Sequence, residues 1–274
     1  MPEIAPSART ESPDDRSAVK RCREILDEFS VFEVRPAGAE PFSLCEKLKR
    51  LPRTGKAVRI DRYGLGLPKQ SLLDHIVMLS VMADIFGSVL GPDVDSRVVG
   101  EMAAFHDLAE VLIGDAPDFT DKELAAASHM TVEEKVLKEK TANDFLANQF
   151  TGELKDRFVK TLARLDDGRS PETEFFRMLD KCEPIISVWR YLHQFHDAIC
   201  LENFLEAMTD FFANPKVAGS CVFRDASKLA SFLQNKDQAR KYYAQGPAAL
   251  SGLQPNIFVP ETLLALIEEK MSLV

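Results

Sequence analysis

Residues 101–117 read EMAAFHDLAEVLIGDAP, and the fold turns on how that stretch is taken. Its apolar side chains Met102, Phe105, Ala109, Leu112 and Ile113, with Val98 just upstream, recur at the spacing of a helix. The spacing predicts a helix from about Ser96 to Ile113, stopped by Gly114. Within it His106 and Asp107 stand side by side, between Phe105 and Leu108. Charged side chains are rarely buried unless they are paired or bound to metal, so this pair calls for a partner. Glu110 lies four residues after His106, on the same face of a helix, and Asp115 follows just past the helix end. Two carboxylates near a helix C-terminus oppose its dipole; a divalent cation would offset that, and so would a lysine.

The same period extends outward. Leu72, Ile76, Leu79, Ala83 and Phe86 predict a helix from about Pro68 to Leu90, carrying His75. A long apolar helix over about Glu172–His196 carries Asp180 among Phe176, Leu179 and Ile186. Pro184 cannot donate to the carbonyl of Asp180, and its ring opens that turn. Further helices are read over 42–50, 131–149, 152–166, 200–213, 224–243 and 260–272, with a first one starting near Ser17. Thr120 and Glu123 make a capping box for another. RTGKAVRIDRYGLGLPKQS, residues 53–71, is rich in glycine and basic residues and reads as a long connection. No stretch alternates with the period of a strand, so the fold class is all-α. The organisation read from this is a disordered tail over 1–16, a core domain over 17–200 and a C-terminal helical extension over 201–274, packed on the core.

Composition narrows the function. The chain has 274 residues, with 34 basic and 43 acidic side chains for a net charge of −9, so no nucleic-acid polymer is expected as a partner. No run approaches the roughly 18 to 20 apolar residues that cross a bilayer, and the N-terminus has no apolar segment of a secretory signal. The five cysteines are odd in number, scattered and never in a CxxC pair, which points to a reducing compartment. The expectation is a cytoplasmic protein with no membrane partner.

Of the five histidines, His75 and His106 lie in strongly apolar helices, each beside an aspartate. A single histidine in such a place is more often a hydrogen-bonded core residue. A second His-Asp pair, His196-Asp197, reads as a helix end; His193 and His129 read as polar positions. Asp180 could equally pair with Arg177 or a lysine. It is the set His75, His106, Asp107 and Asp180 that carries weight.

That set resembles the HD-domain phosphohydrolase superfamily. HDLAEVLIGDAP is similar to the signature of the small HD-domain 5′-deoxynucleotidase group: His106, Asp107, then Glu110, Gly114, Asp115 and Pro117. LKRLPRTG, residues 48–55, is similar to that group's upstream basic element. The resemblance covers about residues 42–195. Two positions depart from it: the group often has tryptophan where Lys56 stands, and glutamate and serine flank the first histidine where this chain has Asp74 and Ile76.

The resemblance implies an HD-domain helical bundle with one divalent metal ion (Mn, Co, Fe, Ni, Zn or Mg) held by His75, His106, Asp107 and Asp180. Dinuclear members usually add two histidines between the His-Asp pair and the last aspartate, and only His129 lies there. Mixed imidazole and carboxylate donors suit such metals, and affinity order alone does not choose among them. The implied activity is release of phosphate from (deoxy)nucleoside 5′-monophosphates by metal-activated water, with a nucleotide as substrate. Glu110 would orient or deprotonate the water, and Asp115 would position substrate or protonate the leaving oxygen. Arg53, in LPRTG, is the first candidate for binding the substrate phosphate, with Lys56 behind it; a solvated basic loop is the other reading of that stretch. The alternatives are a nucleotide triphosphohydrolase or alarmone hydrolase, or a non-catalytic regulatory protein on an HD fold. A homodimer is admitted by the resemblance.

Overall fold

The computed structural model describes residues 33–90, 94–115, 132–213 and 227–253. The 1–16 tail, the helix near Ser17, Pro117, the Thr120–Glu123 box, His129 and the helix over 260–272 lie outside the described residues. Two compact units divide the chain, Met1–Lys47 and Leu48–Val274.

In the first unit, β1 (Glu33–Val34) pairs antiparallel with β2 (Phe42–Ser43), placing Glu33 opposite Ser43 and Val34 opposite Phe42. These strands of two residues each depart from the strand-free expectation without changing the class. Helix α1 (Leu44–Arg50) follows β2.

The second unit is a helical array. In order come α2 (Thr54–Arg62), α3 (Leu72–Leu90), α4 (Ser96–Phe105), α5 (Glu110–Ile113), α6 (Val132–Gln149), α7 (Gly152–Asp167), α8 (Pro171–Gln194), α9 (Leu201–Ala213), α10 (Ser227–Gln234), α11 (Lys236–Tyr243) and α12 (Pro247–Leu250), closed by a 3₁₀ turn over Ser251–Leu253. Helix α3 packs along α4, and α8 packs on both. Gly87 permits the close approach of the first pair, since a Cβ there would stand 2.4 Å from the Cβ of Ser96. Asp95 caps α4 by accepting from the Arg97 N–H, and Ser170 caps α8 by accepting from Thr173, with Pro171 in the first turn.

One buried cluster joins these helices. It holds Leu79 of α3, Met102 of α4, Phe175, Leu179 and Leu192 of α8, Phe204 and Leu205 of α9, Phe232 of α10 and Leu250 of α12. Each such side chain contributes about 1.5–3 kcal/mol through burial. The helices after residue 200 thus share the core of those before it.

Three readings of the sequence are corrected. The stretch 53–71 is not structureless: its first half folds as α2, which buries Ala57 and Ile60. The helix expected over 96–113 is broken at residues 106–109. Leu108, Glu110 and Val111 donate to carbonyls three residues back, at 3.3, 3.1 and 3.2 Å, the tighter pattern of a 3₁₀ turn. Glu110 therefore opens a new short helix instead of closing a long one, and Gly114 ends it with φ +84°. The 224–243 helix is two, α10 and α11, separated at Asn235, whose side chain caps the second.

Candidate metal centre

Three parts of the chain meet around two imidazoles. His75 is wholly buried on α3, in line with Leu72 and Leu79. His106 lies at the C-terminal end of α4, with its ring against the edge of Phe176 of α8 at a centroid distance of 4.9 Å. The two imidazole centroids are 5.5 Å apart.

Hydrogen bonding fixes which nitrogens point inward. His106 Nδ1 lies 3.0 Å from the Ala103 carbonyl, and a carbonyl only accepts, so this nitrogen carries the proton. His75 Nδ1 lies 3.2 Å from Oε2 of Glu183, and the carboxylate accepts there too. Both Nε2 atoms are then left with a lone pair, and both are buried with no hydrogen-bond partner among the described residues.

The carboxylates close in on those atoms. Asp180 Oδ1 stands 3.5 Å from His75 Nε2, and Asp107 Oδ2 stands 3.7 Å from it and 3.0 Å from His106 Nε2. Ligand atoms of His75, His106 and Asp180 all lie within 4.8 Å of one another. The lysine that pairs with Asp180 is Lys181, at 2.7 Å, whereas Arg177 turns to Glu174 and the Leu165 carbonyl. Burial pushes the Asp180 carboxyl up, but Lys181 and His75 hold it well below the usual range. Burial likewise pushes the Asp107 carboxyl up, but His106 and Arg53 outweigh it and hold that carboxyl down. At His75 burial acts downward, and the neighbouring carboxylates of Asp180 and Glu183 outweigh it, so the net shift is upward.

Arg53 reaches this group from the start of α2. Its N–H donates to the Gln70 carbonyl and Leu72 N–H donates to the Leu51 carbonyl, both at 2.8 Å, so the turn carrying Arg53 is clamped to the foot of the His75 helix. Arg53 Nη1 donates to Asp107 Oδ2 at 2.8 Å, and lies 3.5 Å from Glu110 Oε2 and 3.6 Å from Asp115 Oδ1. The other oxygen of Asp115 accepts from the Thr54 N–H and so caps α2 from the end of α5. Glu110 is 5% exposed; burial, then the charges of Asp107 and Asp115, push its carboxyl up to about 11.

The structure thus brings together seven of the eight candidate residues: His75, His106, Asp107, Asp180, Glu110, Asp115 and Arg53. Lys56 points elsewhere. Its ammonium donates to Gln70, to Glu183 at 2.7 Å and to Ser187 at 3.1 Å. An ammonium has three N–H groups, and three partners use them, so none is left for a phosphate. Glu183 is the residue that sequence reasoning missed. It lies one helical turn after Asp180, and that spacing on an apolar helix was the available signal.

The donor set fits a divalent ion. Two unpartnered imidazole nitrogens face two carboxylates, and Asp107, Asp115 and Asp180 outnumber the fixed cations Arg53 and Lys181 beside them. A family model described as HD domain matches residues 45–218. The chain belongs to the HD domain family.

HD domains bind divalent metals, and the ligand atoms of His75, His106 and Asp180 are close enough together to hold one. The match begins near the start of α1 and runs through α9, past the limit near 195 that the motifs alone suggested. Proteins called 5′-deoxynucleotidase are similar to this chain. HDDC2 of Dictyostelium discoideum is 30% identical over 185 residues, 64% of this chain and 90% of that protein. HDDC2 of Homo sapiens is 28% identical over 176 residues, 64% of this chain and 78% of that protein. A crystal structure of a Pyrococcus horikoshii OT3 protein covers 72% of this chain and 94% of its own, at TM-score 0.42 and 22% identity. No helix among the described residues is long and apolar enough to cross a membrane.

Proposed function

We propose that this HD domain is a metal-dependent 5′-deoxynucleotidase, a phosphohydrolase that releases phosphate from (deoxy)nucleoside 5′-monophosphates. The observation that carries the reading is the pair of buried Nε2 lone pairs, on His75 and His106, aimed at the carboxylates of Asp107 and Asp180. The name shared by its relatives supports the substrate class. These four residues would hold a divalent ion, which would supply a water of lowered pKa and polarise a phosphoryl oxygen.

The remaining groups divide the work around it. Every ion-pair contact of Arg53 among the described residues is made through Nη1, which leaves Nη2 and Nε to donate to a phosphate. Glu110 is the proton acceptor: its carboxyl sits next to Arg53 at the edge of the centre, where a bound divalent ion would favour its ionised form. Asp115 holds the Thr54 N–H and the Arg53 side chain, and so positions the phosphate-binding turn.

The test is phosphate release across a panel of ribo- and deoxyribonucleoside monophosphates with Mn²⁺, Co²⁺ or Mg²⁺. Orthophosphate and free nucleoside are the expected products. Pyrophosphate or triphosphate released from larger nucleotides, with no turnover of monophosphates, would replace this reading, and a metal-loaded protein inert on every nucleotide would end it.

A further inference from the structure

Phe176, Asp180, Glu183 and Ser187 follow one another at helical spacing along a single stripe of α8. The stripe meets the His106 ring, His75 Nε2, His75 Nδ1 and Lys56 in turn. Glu183 is 1% exposed and sits behind His75, on the side away from Asp180. Its Oε1 accepts from Gln70 at 2.9 Å, from Ser187 at 2.5 Å and from Lys56 at 3.0 Å; its Oε2 accepts from Lys56 at 2.7 Å and from His75 at 3.2 Å. A buried carboxylate with this many donors is held in one orientation, and its acceptor character is what keeps the proton on Nδ1 of His75. The paired ammonium has the opposite influence: a positive charge behind a cation site weakens it.

We infer that Glu183 is a positioning residue for His75, and that Lys56 behind it restrains the affinity of the centre for its ion. Glu183 fixes the Nδ1–H tautomer and turns Nε2 to the metal. Lys56 neutralises Glu183, so that the carboxylate can be buried without loading its full charge onto the imidazole. Outer carboxylates behind ligating histidines typically account for about 10–100-fold in metal affinity. The inference rests on the reading of His75 as a ligand. It goes further by giving opposite signs to two residues that touch one another.

The experiment uses the full chain, stripped of metal, with Co²⁺ as the probe. In the parent, long-range ¹H–¹⁵N spectra should show His75 protonated on Nδ1; protonation on Nε2 overturns the inference without any variant being made. Co²⁺ titration against a competing chelator should then show Glu183→Gln weakened by about 10–100-fold. Lys56→Met should bind Co²⁺ more tightly than the parent, and unchanged affinity overturns its restraining role, although its metal-free melting temperature falls because a buried carboxylate has lost its cation. Equal weakening by both variants reduces the pair to packing, and an unaltered Glu183→Gln variant removes the positioning role. A parent that binds no Co²⁺ is a different failure, that of the metal-centre reading itself.

Discussion

The two histidines at the centre are oriented in different ways. His106 rests its Nδ1 on the carbonyl of Ala103, three residues back on its own chain, so its orientation comes with the local helix geometry. His75 rests its Nδ1 on Glu183, which in turn needs Lys56 and Gln70 from elsewhere in the chain and Ser187 one turn along. One imidazole is set by neutral backbone, the other by a buried ion pair assembled from three separate stretches. The lesson is that two histidines proposed for one ion need not be equally vulnerable: substitutions of side chains behind His75 would reach that ion, whereas among the described residues His106 Nδ1 rests on backbone alone.

Removing the ligands themselves should erase the contrast and gives the largest effect. His75→Ala and His106→Ala should each lose bound Co²⁺ and, with it, phosphate release, as judged by metal analysis after desalting. A variant of either kind that keeps stoichiometric metal would show that its imidazole is not a ligand. Next in size is Glu110→Ala, which leaves both histidines and their supports intact. It should retain Co²⁺ at parent affinity while kcat falls by about 10²–10⁴-fold, the usual contribution of a general base. If metal is lost together with turnover, Glu110 belongs among the ligands and not to the proton transfer.

The same contrast explains what the sequence revealed. His75, His106, Asp107 and Asp180 were legible because each sits in an apolar helical pattern that cannot bury a polar group without a partner. The long helices were legible for the same periodic reason, and α7 and α8 lie within two residues of their expected limits. The break at residues 106–109 was hidden because its residues continue the apolar period; only the hydrogen-bond register changes there. Helix α2 was hidden because Gly55 stands in its first turn and Gly64 and Gly66 follow its end. Glu183 and Lys56 were hidden for a longer-range reason. They are 127 residues apart, and neither residue's neighbours in sequence reveal the other. Lys56 next to Arg53 looks like a phosphate contact until the fold turns it onto Glu183.

The smallest effect sharpens the contrast through pH. Although burial pushes the Glu183 carboxyl up, Lys56 and His75 hold it well below its ordinary 4.5. A carboxylate with a depressed folded-state pKa stabilises the fold fully above its unfolded value, and that stabilisation fades as pH falls through the folded value. The metal-free parent should therefore lose a contribution below about pH 4.5 that Glu183→Gln does not have, so the gap in stability between them should narrow with acidification. Asp107 and Asp180 titrate in both proteins and largely cancel in the difference. No counterpart exists on the His106 side, because the Ala103 carbonyl does not titrate. Urea unfolding of both proteins between pH 7 and pH 3 measures the gap directly; a gap constant across that range would mean that Glu183 is not held ionised by its partners, and the asymmetry between the two histidines would then be one of shape alone.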